Sequence, residues 1–269
     1  MRSPGPDIMH SSALVVCRTA ADACRWAARR LAERIAAERR IVLGLATGNT
    51  QREVYEILVA QRREGHLSLA GVTSFNLDEY VGLPPDHPSS FAAYMNRFLF
   101  SSTDIDPART HLPDGSAADL DAAAATYERR IAEAGGIDVQ LLGIGRNGHI
   151  GFNEPGSPED GRTRVVELTE STIAANTRDF PPGETPPGRA VTMGIGTILE
   201  AREILLLATG AEKAEAVARA FHGRIDRDSP ASFLRLHPAT TWVCDGDAAA
   251  RLGVGWSCLS EGTRDHAAA

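Results

Sequence analysis

DVQLLGIGRNGHIGFNEPGS, residues 138–157, opens as a strand and closes as a loop crowded with polar side chains. Val139, Gln140, Leu141, Leu142, Gly143 and Ile144 form a largely apolar run behind Gly135-Gly136, the form taken by a parallel strand buried on both faces. It breaks into Gly145, Gly148 and Gly151, interleaved with Arg146, Asn147, His149, Asn153 and Glu154. Glycine lets a backbone turn tightly and approach a ligand closely. In open α/β sheets, ligands bind just beyond the carboxyl ends of the strands. A lone His in such a turn would read as a surface residue. A His, a Glu and two Asn among three glycines read as a site.

Outward from this stretch, strands and helices alternate. Ser12 to Cys17 contains Ala13-Leu14-Val15-Val16, a short strand pattern, and Thr19 caps an amphipathic helix reaching Arg40. Ile41 to Leu45 is a strand, with a helix from about Gln51 to Arg63. Gly71 to Leu77 is a strand that delivers Asp78 and Glu79 into a loop with Gly82, Pro84, Pro85 and Pro88. Pro88 to Phe100 and Ala117 to Ala134 read as helices, with 104–115 as a connector. Phe91, Tyr94, Phe98 and Phe100 read as core. Beyond the quoted stretch come strands at 165–168, 189–194, 203–208 and 240–244. Helices are read at 169–179, 210–221 and 229–236, and the proline-rich 181–188 is an exposed loop. Alternation of this kind predicts an α/β fold: a single Rossmann-like three-layer domain, its mostly parallel central sheet flanked by helices on both faces. The domain is expected over 12–245, with a flexible N-terminal tail over 1–11 and a poorly patterned C-terminal tail over 246–269.

Composition narrows the function. A net charge of −7 argues against a general nucleic-acid binder but leaves room for a local anion pocket. No apolar run approaches a membrane span, and the N-terminus lacks the apolar core of a secretory signal. Cys17, Cys24, Cys244 and Cys258 show neither metal-ligand spacing nor a disulfide pattern. A reducing, cytoplasmic setting is expected.

Three further places invite chemistry. Ala46-Thr47-Gly48-Asn49-Thr50 joins a strand to a helix, an arrangement that offers backbone N–H groups and a positive dipole end to a phosphate. It lacks the GxxxxGK[ST] of a P-loop, and many such turns carry Thr and Gly only for capping. Asp78 and Glu79 are neighbours on a strand, so at most one faces a given pocket. Lys213, the single lysine of the chain, sits in the first turn of a helix. A cation there is mildly unfavourable unless an anion lies nearby.

GIGRNGHIGFNEPGS resembles the signature of the glucosamine-6-phosphate deaminase (isomerase) family. LGLATGNTQREVY at 43–55, SFNLDEYVGLPPDHPSSF at 74–91 and RTRVVELTESTIAANTRDF at 162–180 resemble that family in its order, as do VTMGIGTILEAREILLLATGAEKAEAV at 191–217 and LHPATTWVCD at 236–245. The resemblance implies conversion of glucosamine 6-phosphate to fructose 6-phosphate and ammonia, without metal or cofactor. It selects Asp78 as general base and leaves Glu79 in support. His149 becomes the acid/base that opens the sugar ring, oriented by Glu154, with Asn147 as a further orienting group. Thr47, Gly48, Asn49, Thr50, Arg178 and Lys213 become the phosphate contacts, and a lid is expected near 181–188.

This chain departs from the family pattern in places. Asn49 stands where the family more usually has Gly or Ser. Some members carry Asp where this chain has Asn147. Members activated by N-acetylglucosamine 6-phosphate use a Lys after the RTR motif, where this chain has Val166 and Glu167; no such activation is expected. The rival readings are a deaminase for galactosamine 6-phosphate, a 6-phosphogluconolactonase-type hydrolase and a non-catalytic sugar-phosphate sensor. The expected partner is the small sugar phosphate, with no nucleic acid or membrane. A homo-oligomer is admitted, though no motif specifies one.

Overall fold

The computed structural model describes residues 12–255. Its centre is a seven-stranded sheet, all parallel, in the order β1-β10-β9-β6-β2-β3-β5. The strands are β1 (Ala13–Cys17), β2 (Ile41–Leu45), β3 (Val72–Asn76), β5 (Thr110–His111), β6 (Val139–Leu142), β9 (Glu203–Ala208) and β10 (Thr240–Asp245). From β2 the chain steps outward through β3 to β5. It then returns to lay β6 on the other side of β2 and continues through β9 to β10. The order therefore reverses between β2 and β6, which opens a crevice at their carboxyl ends.

Alternate side chains along each strand feed opposite layers. Leu43, Leu45, Val139, Leu141, Leu205 and Leu207 pack beneath α1 (Ala20–Ala37), α2 (Asn49–Arg63) and α3 (Phe91–Phe98). Val42, Leu142, Ile204, Leu206 and Trp242 pack against α4 (Leu120–Glu133), α6 (Ile195–Leu199) and α7 (Ala214–His222). Each fully buried Leu or Ile contributes about 2 kcal/mol of desolvation, which explains why the central strands are apolar on both faces. Thr19 caps α1 by accepting a hydrogen bond from the Asp22 N–H at 3.1 Å. The three-layer architecture expected from the alternation is the one observed.

Several elements depart from the sequence reading. Asp78 and Glu79 do not lie in a loop; they open β4 (Asp78–Tyr80), which pairs antiparallel with β8 (Arg189–Thr192). β8 in turn pairs with β7 (Arg164–Glu167), making a second, three-stranded sheet. Three residues are too few for a period to register, so only pairing with a distant partner makes β4 a strand. The connector at 104–115 contains β5, a two-residue edge strand held by β3. Segment 195–199, unassigned between the strands expected at 189–194 and 203–208, forms α6. The helix expected from 169 is shorter: α5 covers Glu170–Asn176 and tightens into a 3-10 turn at Thr177–Asp179. Residues 229–236 are likewise a 3-10 helix, Pro230–Leu236.

The proposed domain edge at 245 also moves. Ala248, Ala249 and Leu252 are buried in the core, so the packed unit extends to Leu252 at least. An Ala- and Gly-rich run carries no periodicity, yet small residues fit where two elements approach closely. The expected tail at 1–11 and the remainder at 256–269, with Cys258, lie outside the described residues. Among the described residues no helix is long and apolar enough to cross a membrane.

Candidate active site

β6 ends in the glycine loop, and that loop is shaped by its own backbone. The Gly145 N–H donates to the His149 carbonyl at 2.9 Å, and the Gly148 N–H to the Gly145 carbonyl at 3.0 Å. The imidazole of His149 folds back over Gly145, where a Cβ would stand 2.2 Å from Cε1. Only glycine leaves that space. Gly145→Ala is expected either to swing the ring out or to lower stability by about 1–3 kcal/mol. Urea unfolding together with the His149 ring resonances would distinguish the two, and a variant unchanged in both would contradict the packing.

Glu154 closes the loop on itself. Its Oε2 accepts from Asn147 Nδ2 at 2.5 Å and lies 3.6 Å from His149 Nδ1, while Asn147 Oδ1 accepts from the His149 N–H at 3.2 Å. The other oxygen, Oε1, accepts from the Thr172 hydroxyl of α5. Burial opposes ionisation of this carboxyl, but His149, Thr172 and Asn147 outweigh it and hold its pKa at about 2. The expected pairing of His149, Glu154 and Asn147 is thus present as one constellation. Thr172 joins it unannounced. Its only local signal is its place three residues after the helix-capping Thr169, which gives no hint of a distant carboxylate.

Asp78 and Glu79 divide as strand alternation requires. Glu79 is bound inward: it accepts from the Tyr80, Phe91 and Ala92 N–H groups at 2.9, 3.0 and 2.9 Å and so anchors the start of α3. Asp78 turns the other way, toward the glycine loop. A Cβ on Gly151 would lie 3.3 Å from Asp78 Oδ2 and 3.1 Å from Thr192 Oγ1. Asp78 is 6 % exposed, and no hydrogen bond to its carboxyl is found among the described residues. Burial, and secondarily the neighbouring Glu79, push its pKa up to about 8. A carboxyl of that kind exchanges its proton near neutrality.

Two strand-to-helix turns, after β2 and β9, flank the loop. Gly48, at φ 134°, ends the first, and α2 begins at Asn49, two residues earlier than expected. Asn49 and Thr50 are therefore first-turn helix residues, and Asn49 is exposed. Thr50 and Thr209 share a hydroxyl hydrogen bond of 2.9 Å that ties this turn to the one after β9. Tyr94 of α3 donates to the Gly48 carbonyl at 2.7 Å. The second turn carries Lys213 in a short 3-10 segment, Ala211–Lys213, leading into α7. Burial lowers the Lys213 pKa, and the positive charges of Arg146 and Arg178 lower it further against the opposing Glu212. Arg178 itself is exposed, with Asp179 at 4.0 Å. Arg146, singled out in the glycine loop but given no role, therefore belongs to the same positive patch. Among the described residues no group of His, Cys, Asp and Glu side chains is arranged to hold a metal ion.

Residues 17–242 match the family model described as glucosamine-6-phosphate isomerases/6-phosphogluconolactonase. The chain belongs to this family. Within it, the chain is 62% identical over 211 residues to a glucosamine-6-phosphate deaminase of Rhodopirellula baltica, covering 78% of this chain and 84% of that one. A glucosamine-6-phosphate deaminase of Shewanella loihica is 48% identical over 239 residues, 89% of each chain. Among solved structures, a monomeric glucosamine-6-phosphate deaminase superposes with a TM-score of 0.87 at 45% identity, covering 89% of this chain and 99% of that one. A 6-phosphogluconolactonase from Trypanosoma brucei shares the fold at a TM-score of 0.73 and 24% identity, covering 90% of this chain and 99% of that one. The family thus spans two chemistries on one scaffold, and the choice between them rests on site residues.

Proposed function

We propose that this chain deaminates and isomerises glucosamine 6-phosphate, giving fructose 6-phosphate and ammonia. The observation that carries the reading is the meeting of two proton-transfer groups on one glycine loop. The buried Asp78 abuts Gly151, and the His149–Glu154 pair projects from the same turn.

Ring opening requires a proton to move between the anomeric hydroxyl and the ring oxygen. His149 is the group for it, since an imidazole can both take and give a proton near neutral pH. Glu154, ionised and held by Asn147 and Thr172, orients the ring and balances its charge when protonated. In the open form Asp78 removes the proton from C2, the carbon bearing nitrogen, and returns one to C1. The electron pair released at C2 forms the C1–C2 double bond as O1 takes a proton in exchange for one lost by the substrate's ammonium, giving an enolamine; protonation at C1 then gives the ketose imine. Water adds to that imine, and ammonia leaves. An ordinary Asp would be too weak a base; desolvation at 78 strengthens it. The substrate's ammonium, brought beside Asp78, favours the ionised carboxylate on binding.

Lys213, Arg178, Arg146 and the Thr47–Thr50 turn are assigned to the 6-phosphate, whose role is positioning. Replacing Lys213 by Met is expected to raise KM about 10- to 100-fold with a smaller change in kcat, because a charge-assisted contact to phosphate is lost. Steady-state kinetics at two ionic strengths would check it. An unchanged KM would remove Lys213 from the phosphate site.

Activation by N-acetylglucosamine 6-phosphate is not expected. Arg164 is occupied inside the molecule, donating to Asn153 Oδ1 at 2.9 Å and Ser157 Oγ at 3.3 Å. Val166 and Glu167 of β7 supply no cation beside it. Rate against substrate should be hyperbolic with or without the acetylated sugar phosphate; sigmoidal kinetics that it abolishes would contradict this.

The deciding experiment incubates chelator-treated protein with glucosamine 6-phosphate and follows ammonia and fructose 6-phosphate in equal amounts. Galactosamine 6-phosphate and 6-phosphogluconolactone are run alongside. Hydrolysis of the lactone without ammonia from either amino sugar would overturn the reading.

A further inference from the structure

The geometry points to Thr172 as the positioning residue that sets the direction of the Glu154 carboxylate, and through it the imidazole of His149. This rests on the reaction proposed above.

Glu154 has two oxygens, and they face different elements. From its own loop it meets His149 and Asn147, both at Oε2. From α5 it meets the Thr172 hydroxyl at Oε1. A carboxylate held at one oxygen can still rotate about its last bond; held at both, it cannot. His149 Nδ1 is buried with no hydrogen-bond partner among the described residues, and Oε2 of Glu154 stands 3.6 Å from it, so the ring takes its direction from where that oxygen points.

Thr172 is itself fixed. It is 7 % exposed, and its Oγ1 accepts from the Thr169 hydroxyl at 3.1 Å. With that acceptance made, its own proton is free to go to Glu154. α5 is tied at its other end, where Asn176 Nδ2 donates to the Tyr80 hydroxyl at 2.9 Å, two residues from Asp78. Tyr80 packs against Phe152 and Phe180 at ring distances of 5.7 and 5.5 Å. One short helix thus spans from the Glu154 carboxylate to the strand that carries Asp78. A hydroxyl at 172 is required for this, and its methyl group is not.

Three substitutions test the assignment. Thr172→Val keeps the shape and removes the donor, Thr172→Ala removes both, and Thr172→Ser keeps the donor. In Val and Ala, kcat for glucosamine 6-phosphate is expected to fall about 10- to 100-fold with KM within about threefold, and the pH profile of kcat to be displaced by about one unit. Ser should restore both rate and profile. The Glu154 carboxyl resonance, assigned with Glu154→Gln, should titrate about one pH unit higher in Val and Ala than in the parent or Ser. That readout needs no turnover, so it still judges the contact if the parent chain fails to release ammonia. A Val variant with parent-like kcat and carboxyl titration would overturn the proposal. So would a Ser variant as impaired as Val, or a loss of kcat in Val with no displacement of the pH profile.

Discussion

Asp78→Asn is expected to lower kcat about a thousandfold while leaving the binding of glucosamine 6-phosphate within a few-fold of the parent. The amide fills the same space and cannot accept the C2 proton. If binding and turnover fell together, a sensor would be the better description. The substitution also carries an unusual second expectation: the variant should be more stable than the parent at pH 8. In the folded chain the Asp78 pKa stands at about 8, far above its ordinary value. Between about pH 4 and pH 8 the unfolded chain has released this proton and the folded chain keeps it. Stability therefore falls as pH rises across that window, and the cost is fully developed above it. An Asn at 78 has no proton to lose, so Tm should rise on the order of 5 °C at pH 8 and by little at pH 4. The same titration should appear as an acid limb near pH 8 in kcat/KM of the parent, absent from the residual activity of the variant. Thermal unfolding at the two pH values would check the sign; a variant less stable than the parent at pH 8 would show that Asp78 is held by a partner rather than isolated by burial.

His149→Gln is expected to reduce kcat about a hundredfold or more, by a different route. Glutamine can still hydrogen-bond to Glu154 but cannot carry a proton between the two ring-opening oxygens. The variant must then wait for substrate that opens spontaneously in solution. Its rate should stop rising in proportion to enzyme concentration once the open-chain form is consumed as fast as it appears. The parent should stay proportional throughout. A variant whose rate remained proportional to enzyme would place the lost step after ring opening and reassign His149. Glu154→Gln should be milder and should move the pH profile, since Glu154 orients and charges the imidazole without replacing it.

Much of this was legible in the sequence for identifiable reasons. Val139, Leu141 and Leu142 are apolar because β6 is covered on both faces, with Gln140 the one polar residue buried among them. His149, Asn147 and Glu154 meet because they share a turn of a few residues, so proximity in sequence stood for proximity in space. Thr19 announced α1 because capping is a local bond. Where the reading fell short, the missing information was distant. β4 depends on Thr192, Val191 and Ala190 of β8, more than a hundred residues away. The early start of α2 at Asn49 follows from Gly48, whose φ of 134° ends the turn there. Ala248, Ala249 and Leu252 fall in the stretch expected to be a poorly patterned tail because small residues carry no period, yet the core reaches them.

The chain alone determined which residue types stand at the strand ends, that the fold is α/β, and that one loop holds an imidazole beside a carboxylate. It also determined that only one of Asp78 and Glu79 can face the loop, because neighbours on a strand point apart. Tertiary structure decided which: the N–H groups opening α3 take Glu79, and among the described residues no hydrogen bond reaches the Asp78 carboxyl. It likewise brought Arg146, Arg178 and Lys213, from three separate segments, into one field of positive charge. The physical reason is common to both. Hydrogen bonds and Coulomb forces act over ångströms of space, and the chain specifies those only where the backbone is short enough to carry them.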